Sequence, residues 1–414
     1  MTSLAKDSPA TDSWEPAYAR RAERMKASEI RELLKLLDQP GIISFAGGIP
    51  DPRLFPAEAA AEACAAALAT PASAGAALQY SVSEGYGPLV AWIAREMTRL
   101  GSPAAPENIV MTAGSQQALD FLGKLLISPG DTALVTAPAY LGALQAFSAY
   151  EPRYDTIRPE HGNRTPQSYA DAAKAAAPSG QVKLAYVVPD FDNPTGETLS
   201  LEARHHLLRL ARELDAPILE DSAYQALRFE GASLPTLQAL DIAQQGSLDA
   251  SRVIYLGTFS KTIAPGLRVG WICASRAIIR RLVLIKQASD LNLSVINQMV
   301  MHRLAATRYE ALVETARDHY RIKRDAILGA LEAHMPKSVR WTKPQGGLFV
   351  WATLPEGIDG ALLLKRAVAE AKVAFVPGGA FFHDGGGDNT IRLSYSLPTA
   401  TEIGEGIRRL ASLL

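Results

Sequence analysis

The chain predicts an α/β fold: a large, mostly parallel sheet wrapped in helices, followed by a smaller α+β domain. Three observations point there. From about Ala57 to Val295, short apolar runs of strand character alternate with helical stretches, the pattern of a parallel sheet with helices on its faces. A long helical region follows and includes Tyr309 to Glu332. Beyond it, Val339-Arg340-Trp341, Gly347 to Leu354 and Thr390 to Tyr395 read as strands with helices between them. The expected division is an N-terminal arm and helix over 1–57, partly packed on the small domain, a large domain over 58–298 and a small C-terminal domain over 299–414.

In chain order, Met1 to about Glu15 is rich in Ser, Thr, Asp and Pro and is expected to lack fixed structure. Ser28 to Leu37 is amphipathic, with Ile30, Leu33, Leu34 and Leu37 at helical spacing and Ser28 as its cap. Gly41 to Pro56 is punctuated by Gly and Pro and reads as extended. Ile109 to Thr112 is a strand that turns at Ala113-Gly114-Ser115-Gln116-Gln117 into a helix carrying Ala118, Leu119, Leu122 and Leu125. Backbone amides at such a helix start bind anions, with Ser115 and Gln116 as added donors. Ala185 to Pro189 is a buried strand running into Asp192-Asn193-Pro194-Thr195-Gly196, where the Asn-Pro step disfavours helix. Pro217-Ile218-Leu219 is another strand and ends in Glu220-Asp221, with Tyr224 three residues on. Val253 to Leu256 and Val269 to Ile272 are strands flanking a loop with Thr258, Ser260, Lys261 and Arg268.

That last loop carries the strongest chemical signal. A lysine among small hydroxyl residues, with an arginine seven positions later, suits a Schiff-base lysine for pyridoxal phosphate (PLP). Thr258, Ser260 and Arg268 would hold the phosphate, because hydroxyls and a guanidinium fork match a dianion. The amine must be neutral to react, so the site must lower its pKa. Asp221, at the carboxyl end of a strand, is placed where ligands bind in open α/β sheets and would keep the cofactor's ring nitrogen protonated. Asn193 and Tyr224 are placed to reach the ring oxygen. Each residue alone also has an ordinary structural role: Lys261 on a surface turn, Asp221 as a helix cap, Asn193 in a plain turn, Tyr140 and Tyr80 in packing, Arg31 on the polar face of its helix.

Ser44-Phe45-Ala46-Gly47-Gly48-Ile49-Pro50, Gln79-Tyr80-Ser81, Glu84-Gly85-Tyr86, Ala113 to Gln117, Ala137-Pro138-Ala139-Tyr140, Asn193 to Gly196, Asp221 to Tyr224, Ser260-Lys261 and Ile391-Arg392-Leu393-Ser394 occur in one order. That order resembles the fold-type I PLP enzymes of aminotransferase class I/II, within them the 2-aminoadipate (LysN-like) and kynurenine aminotransferase branch. The resemblance runs from about Ser28 to the C-terminus and implies a seven-stranded-type sheet in the large domain. Carried over residue by residue, it implies Lys261 as Schiff-base lysine and general base and Asp221 as ring-nitrogen partner. It implies Asn193 and Tyr224 as ring-oxygen ligands, and Ser115, Gln116, Thr258, Ser260 and Arg268 as the phosphate cup. Tyr140 would stack on the ring, and Tyr80 would reach the phosphate of a neighbouring subunit in a homodimer with shared sites. Arg392 would clamp the substrate α-carboxylate beside Gly48 and Asn193, and Arg31 would meet a distal carboxylate. Two departures stand out: Thr258 where serine is frequent, which keeps the hydroxyl, and the acidic Asp192 before Asn193.

Composition narrows the alternatives. The 414 residues are 48% hydrophobic, enough for a large core. Net charge is −1, from 42 basic and 43 acidic residues, which gives no footprint for nucleic acid or a membrane surface. Cys64 and Cys273 are too few for a disulfide framework, and Met1 to Arg21 lacks a signal-peptide apolar core, so a cytoplasmic enzyme is expected. Phosphate-loop, Gly-x-Ser-x-Gly and His-Glu-x-x-His patterns are missing, and His205 and His206, adjacent on a helix, point apart, so no metal is expected. The resulting expectation is an aminotransferase passing an amino group from an α-amino acid to a 2-oxo acid such as 2-oxoglutarate. Two rivals stay open at this point: a PLP lyase or decarboxylase using the same residues, and an aminotransferase-like ligand-sensing regulator. Such regulators carry an N-terminal DNA-binding domain, for which no room is expected before Ser28.

Overall fold

A computed structural model describes residues 14–25, 41–160 and 162–414. The expected helix over Ser28 to Leu37, and Arg31 with it, lies outside the described residues, as does most of the segment ending at Glu15. From Gly41 the arm is mostly extended, as its Gly and Pro content predicts, and forms a two-residue strand, β1 (Ile43–Ser44).

Seven strands build the large sheet: β2 (Ile109–Thr112), β3 (Thr132–Val135), β4 (Arg153–Thr156), β5 (Val182–Val187), β6 (Ile218–Asp221), β7 (Val253–Thr258) and β8 (Gly270–Cys273). Their spatial order is β2-β8-β7-β6-β5-β3-β4. The β4, β3, β5, β6 and β7 neighbours run parallel, and β8 runs antiparallel to both β7 and β2. Strands β2, β3, β6, β7 and β8 are buried along their whole length, which is why β2 and the first four residues of β7 read as apolar runs. The chain reverses its direction of travel across the sheet at β3 and β5, the place where a crevice opens beyond the strand ends.

The helices between strands start where the sequence supplies caps. Ser200 accepts from the Ala203 amide to begin Leu201–Glu213, and Thr236 accepts from Ala239 to begin Leu237–Gln245. The helix Val295–His334 then runs from the large sheet to the smaller unit. There β9 (Arg340–Trp341), β10 (Phe349–Thr353), β11 (Val373–Ala374), β12 (Val376–Pro377) and β13 (Thr390–Ser394) follow. Strands β12-β13-β10-β9 form an antiparallel sheet, and β11 pairs in parallel with β1, which fixes the arm to the smaller unit. The C-terminal helix Ala400–Ala411, opened by a Thr399–Glu402 capping box, packs on the long helix and on β1. Among the described residues no helix is long and apolar enough to cross a membrane.

Candidate active site

The carboxyl ends of β5, β6 and β7 and the start of the helix Ser115–Leu126 converge on a cavity of about 230 Å3. Ser115, Gln116, Tyr140, Asn193, Asp221, Tyr224, Thr258, Ser260, Lys261 and Arg268 all line it. Ile49, Pro50, Val188, Ala223 and Pro265 complete the wall.

Lys261 sits in the connection from β7 to β8. Its Nζ donates to the Gly48 carbonyl at 3.1 Å and lies 5.7 Å above the Tyr224 ring. Burial, and then the positive charges of Arg392 and Arg268, bring the amine down to about 8, against the pull of Asp221. At pH 7 roughly a tenth of the amine is then neutral, far more than for an ordinary lysine, and the neutral form is the one a nucleophilic amine requires.

Asp221 closes β6. Tyr186 on the neighbouring strand donates to its Oδ2 at 2.9 Å, while Oδ1 is buried with no hydrogen-bond partner among the described residues. Burial lifts this carboxyl to about 6, against the Tyr186 hydrogen bond, the Lys261 charge and the Ala223 amide. An acceptor left open in a site this dry calls for a ligand that brings a proton.

Arg392 on β13 is 2% exposed. It donates through Nη1 to Asn193 Oδ1 and through Nη2 to the Ala46 carbonyl, both at 2.8 Å. Its guanidinium lies 4.5 Å over the Phe349 ring and 5.1 Å over Phe381. Burial lowers it to about 10, so it remains a cation at neutral pH. Tyr224 meets the edge of Phe349 at 5.7 Å, and burial raises its phenol well above the usual range. Burial likewise pushes Tyr140 up to about 12, so both phenols act as neutral donors.

The anion-binding corner is built from backbone geometry. Gly114, at φ +80°, heads the helix Ser115–Leu126, and a Cβ there would come within 2.7 Å of Arg268 Nη2. Arg268 itself adopts a left-handed conformation at φ 54° and donates through Nη2 to the Ala113 carbonyl at 2.7 Å. Thr258 Oγ1 donates to Ser260 Oγ at 2.9 Å, and Gln116 Nε2 donates to the Gly142 carbonyl at 2.8 Å.

These features fit PLP. Hydroxyls, a helix start and a guanidinium suit the phosphate, the open Asp221 oxygen suits a protonated ring nitrogen, and an amine of lowered pKa faces the same space. Tyr80 stands apart: it is 79% exposed on an outward-facing loop beside exposed Leu78 and Val82, so this one chain does not bring it to the others. Sequence reasoning missed Tyr186 as the partner of Asp221, and Phe349 and Phe381 beneath Arg392. Tyr186 pairs with Leu219 in parallel register, two positions before Asp221, so the shared face becomes visible only once the strand order is known. Among the described residues no cluster of three or more His, Cys, Asp or Glu is arranged to hold a metal ion.

Residues 43–410 match the family model described as aminotransferase class I and II. A 2-aminoadipate transaminase of Thermus thermophilus is 44% identical over 97% of each chain. An aromatic-amino-acid aminotransferase of Thermococcus litoralis is 42% identical over 99% of this chain and 96% of its own. The crystal structure of LysN, the α-aminoadipate aminotransferase of Thermus thermophilus, complexed with N-(5'-phosphopyridoxyl)-L-leucine, superposes with a TM-score of 0.85 at 43% identity, covering 97% of this chain and 98% of that one.

Proposed function

The chain belongs to the aminotransferase class I and II family, and on that footing we propose that it takes both dicarboxylic and apolar amino donors at the cavity beneath Lys261. It is a PLP-dependent enzyme that moves amino groups between amino acids and 2-oxo acids. The proposed donors are 2-aminoadipate and glutamate, with aromatic and branched-chain amino acids sharing the pocket, and 2-oxoglutarate as acceptor. One observation carries this assignment of the site: a lysine of lowered pKa and an open buried carboxylate oxygen face a single cavity, and the buried Arg392 is bonded to Asn193 in its wall.

When bound, PLP supplies an electron-withdrawing ring that accepts the charge left at the substrate α-carbon. The proposed roles of this chain's residues follow from their placement. Ser115, Gln116, Thr258, Ser260 and Arg268 hold the phosphate, Asp221 Oδ1 accepts from the ring nitrogen, Asn193 and Tyr224 flank the ring oxygen, and Tyr140 covers a ring face. Arg392, with Asn193 and Gly48 beside it, receives the α-carboxylate. Lys261 Nζ takes the α-proton and keeps it at the reacting centre. Tyr80 of a second copy completes the phosphate site in a homodimer, and the enzyme works in the cytoplasm.

Arg31 is proposed to meet the distal carboxylate of dicarboxylic donors. The names of the two relatives support this breadth, since one acts on 2-aminoadipate and the other on aromatic amino acids. A panel of donors tests the reading. Each true donor should convert bound PLP to its pyridoxamine form, and the amino group should then appear on added 2-oxoglutarate; a lyase or decarboxylase would leave the 2-oxo acid unaminated. Arg31→Gln should cost about 1.5–3 kcal/mol in kcat/KM for dicarboxylates and little for leucine or aromatic donors. Equal losses for both classes would remove Arg31 from substrate choice.

A further inference from the structure

Asp51 follows the extended segment Gly47-Gly48-Ile49-Pro50 of the arm and is 2% exposed. Its Oδ2 accepts from Lys323 Nζ at 2.7 Å, from His319 Nε2 at 2.9 Å and from Arg53 Nη2 at 2.6 Å. Its Oδ1 accepts from the Arg53 amide at 3.1 Å, and its own amide donates to the Tyr320 hydroxyl at 2.9 Å. His319, Tyr320 and Lys323 all belong to the long helix Val295–His334.

Lys323, 4% exposed, makes a second set of bonds. Its Nζ donates to the carbonyls of Ser396 at 2.6 Å and Leu397 at 3.1 Å, just beyond β13. One ammonium thus ties the arm to the continuation of the strand that carries Arg392. The other end of the arm is tied to that strand directly: the Ser394 amide donates to the Phe45 carbonyl at 2.8 Å, and Arg392 Nη2 donates to Ala46 at 2.8 Å. Between these two anchors, the Gly48 carbonyl accepts from Lys261.

We infer that Asp51, locked by Lys323, is a positioning residue that sets the arm carbonyl of Ala46 and thereby aims Arg392 at the substrate. This rests on the reading of Arg392 as the carboxylate site. A buried carboxylate whose oxygens are all satisfied holds one geometry; removing its charge leaves the buried Lys323 ammonium without an acidic partner, and removing Lys323 takes away the bond that joins Asp51 to the carbonyls beyond β13. Apart from Asn193, which also bonds Arg392, and Lys261, which donates to Gly48, the cofactor's proposed ligands are not bonded to the segment that Asp51 and Arg392 hold, so loosening the arm should spare cofactor binding.

The test uses the PLP-loaded enzyme and two carboxylates that lack an amino group, 4-methylpentanoate and adipate, titrated by the change in cofactor absorbance. Asp51→Asn and Lys323→Met should each raise both dissociation constants at least tenfold. The double variant should be little worse than the poorer single one, and the affinity of apo-protein for PLP should stay within twofold of wild type. KM for amino donors should rise more than kcat falls, and hydrogen exchange should accelerate in peptides covering 45–51. If Asp51→Asn does not fold, Arg53→Met removes only a partner that is 56% exposed and should raise the constants at least threefold. Carboxylate affinities unchanged in these variants, or a parallel loss of carboxylate and PLP affinity, would overturn the positioning role. Carboxylate binding that is indifferent to Arg392→Lys would instead overturn the assignment of Arg392.

Discussion

Adding one methyl group at Gly48, and one at its neighbour Gly47, separates steric precision in the carboxylate pocket from mere tolerance of the arm. A Cβ on Gly48 would lie 2.8 Å from Phe349 Cζ and 3.0 Å from Cε1, and 3.9 Å from Arg392 Nη2. Ordinary carbon–carbon contact is about 3.5–4.0 Å, so the ring must retreat by roughly 0.5–1 Å. It has little room to do so: Phe349 is fully buried, edge-on to Tyr224 and directly under the Arg392 guanidinium. Overpacking of this kind costs about 1–3 kcal/mol of folding stability; strain of that size borne wholly by the carboxylate pocket corresponds to a loss of roughly 5- to 150-fold in kcat/KM. The loss should fall on KM for every amino donor, because all present the same α-carboxylate. Gly47→Ala places its Cβ 3.4 Å from Leu397 Cδ1, an ordinary contact, and should cost under about 0.5 kcal/mol. Steady-state kinetics of both variants, with thermal melts to compare stability, decide the matter. Equal effects of the two substitutions, or an unaltered KM in Gly48→Ala, would show that Phe349 does not set the position of Arg392.

Four further outcomes are expected. Borohydride treatment of the loaded enzyme should leave PLP covalently on Lys261, and the Lys261→Ala protein should neither turn over nor take the label; a label on another lysine would refute the assignment. The same amine has a linkage signature in the apo-protein: the folded form holds its proton more weakly, so stability should rise between about pH 8 and the ordinary lysine value of 10.5, and Lys261→Met should flatten that rise in thermal melts. Asp221→Ala should slow the half-reaction with every donor by about 3–4 kcal/mol, since a preorganised electrostatic partner is lost, and near-wild-type single-turnover rates would contradict its role. Tyr80→Phe should weaken PLP retention, and mixing it with a Lys261 variant should restore one intact site per dimer; full activity in a demonstrably monomeric sample would end the shared-site idea.

Much of the fold was legible because strands buried on both faces announce themselves. Ile109 to Thr112, Val253 to Leu256 and Val269 to Ile272 were each visible as apolar runs, and all three are strands. Direction was not legible. Nothing in the apolar run Gly-Trp-Ile-Cys states that β8 opposes its neighbours, because a strand covered on both faces has no polar edge to betray its orientation. The cavity was legible wherever a residue's chemistry coincides with a strand end or helix start, as for Lys261, Asp221, Asn193 and Ser115. What escaped depends on contacts distant in sequence: Tyr186 against Asp221 needs the register of two strands, and Asp51 against Lys323 spans most of the chain. Asp51 in particular looks like any turn residue after Ile-Pro, and only the folded arm gives it buried partners.

The reversed strand has a kinetic consequence. Parallel neighbours such as β5, β6 and β7 can meet only after a crossover helix has been traversed, whereas the antiparallel β7 and β8 are joined by the eleven-residue connection Phe259 to Val269, with Thr258 opposite Gly270. Loop closure favours short connections, so this hairpin is the pairing in the large sheet with the least chain entropy to overcome. Lys261 and Arg268 both ride on its tip, and their spacing is therefore a local property of a few residues. Asp221, Asn193 and Arg392 arrive from separate elements, each dependent on longer-range assembly. An insertion of one residue in the hairpin tip would misplace the amine and the anion contact together while leaving the rest of the sheet free to assemble.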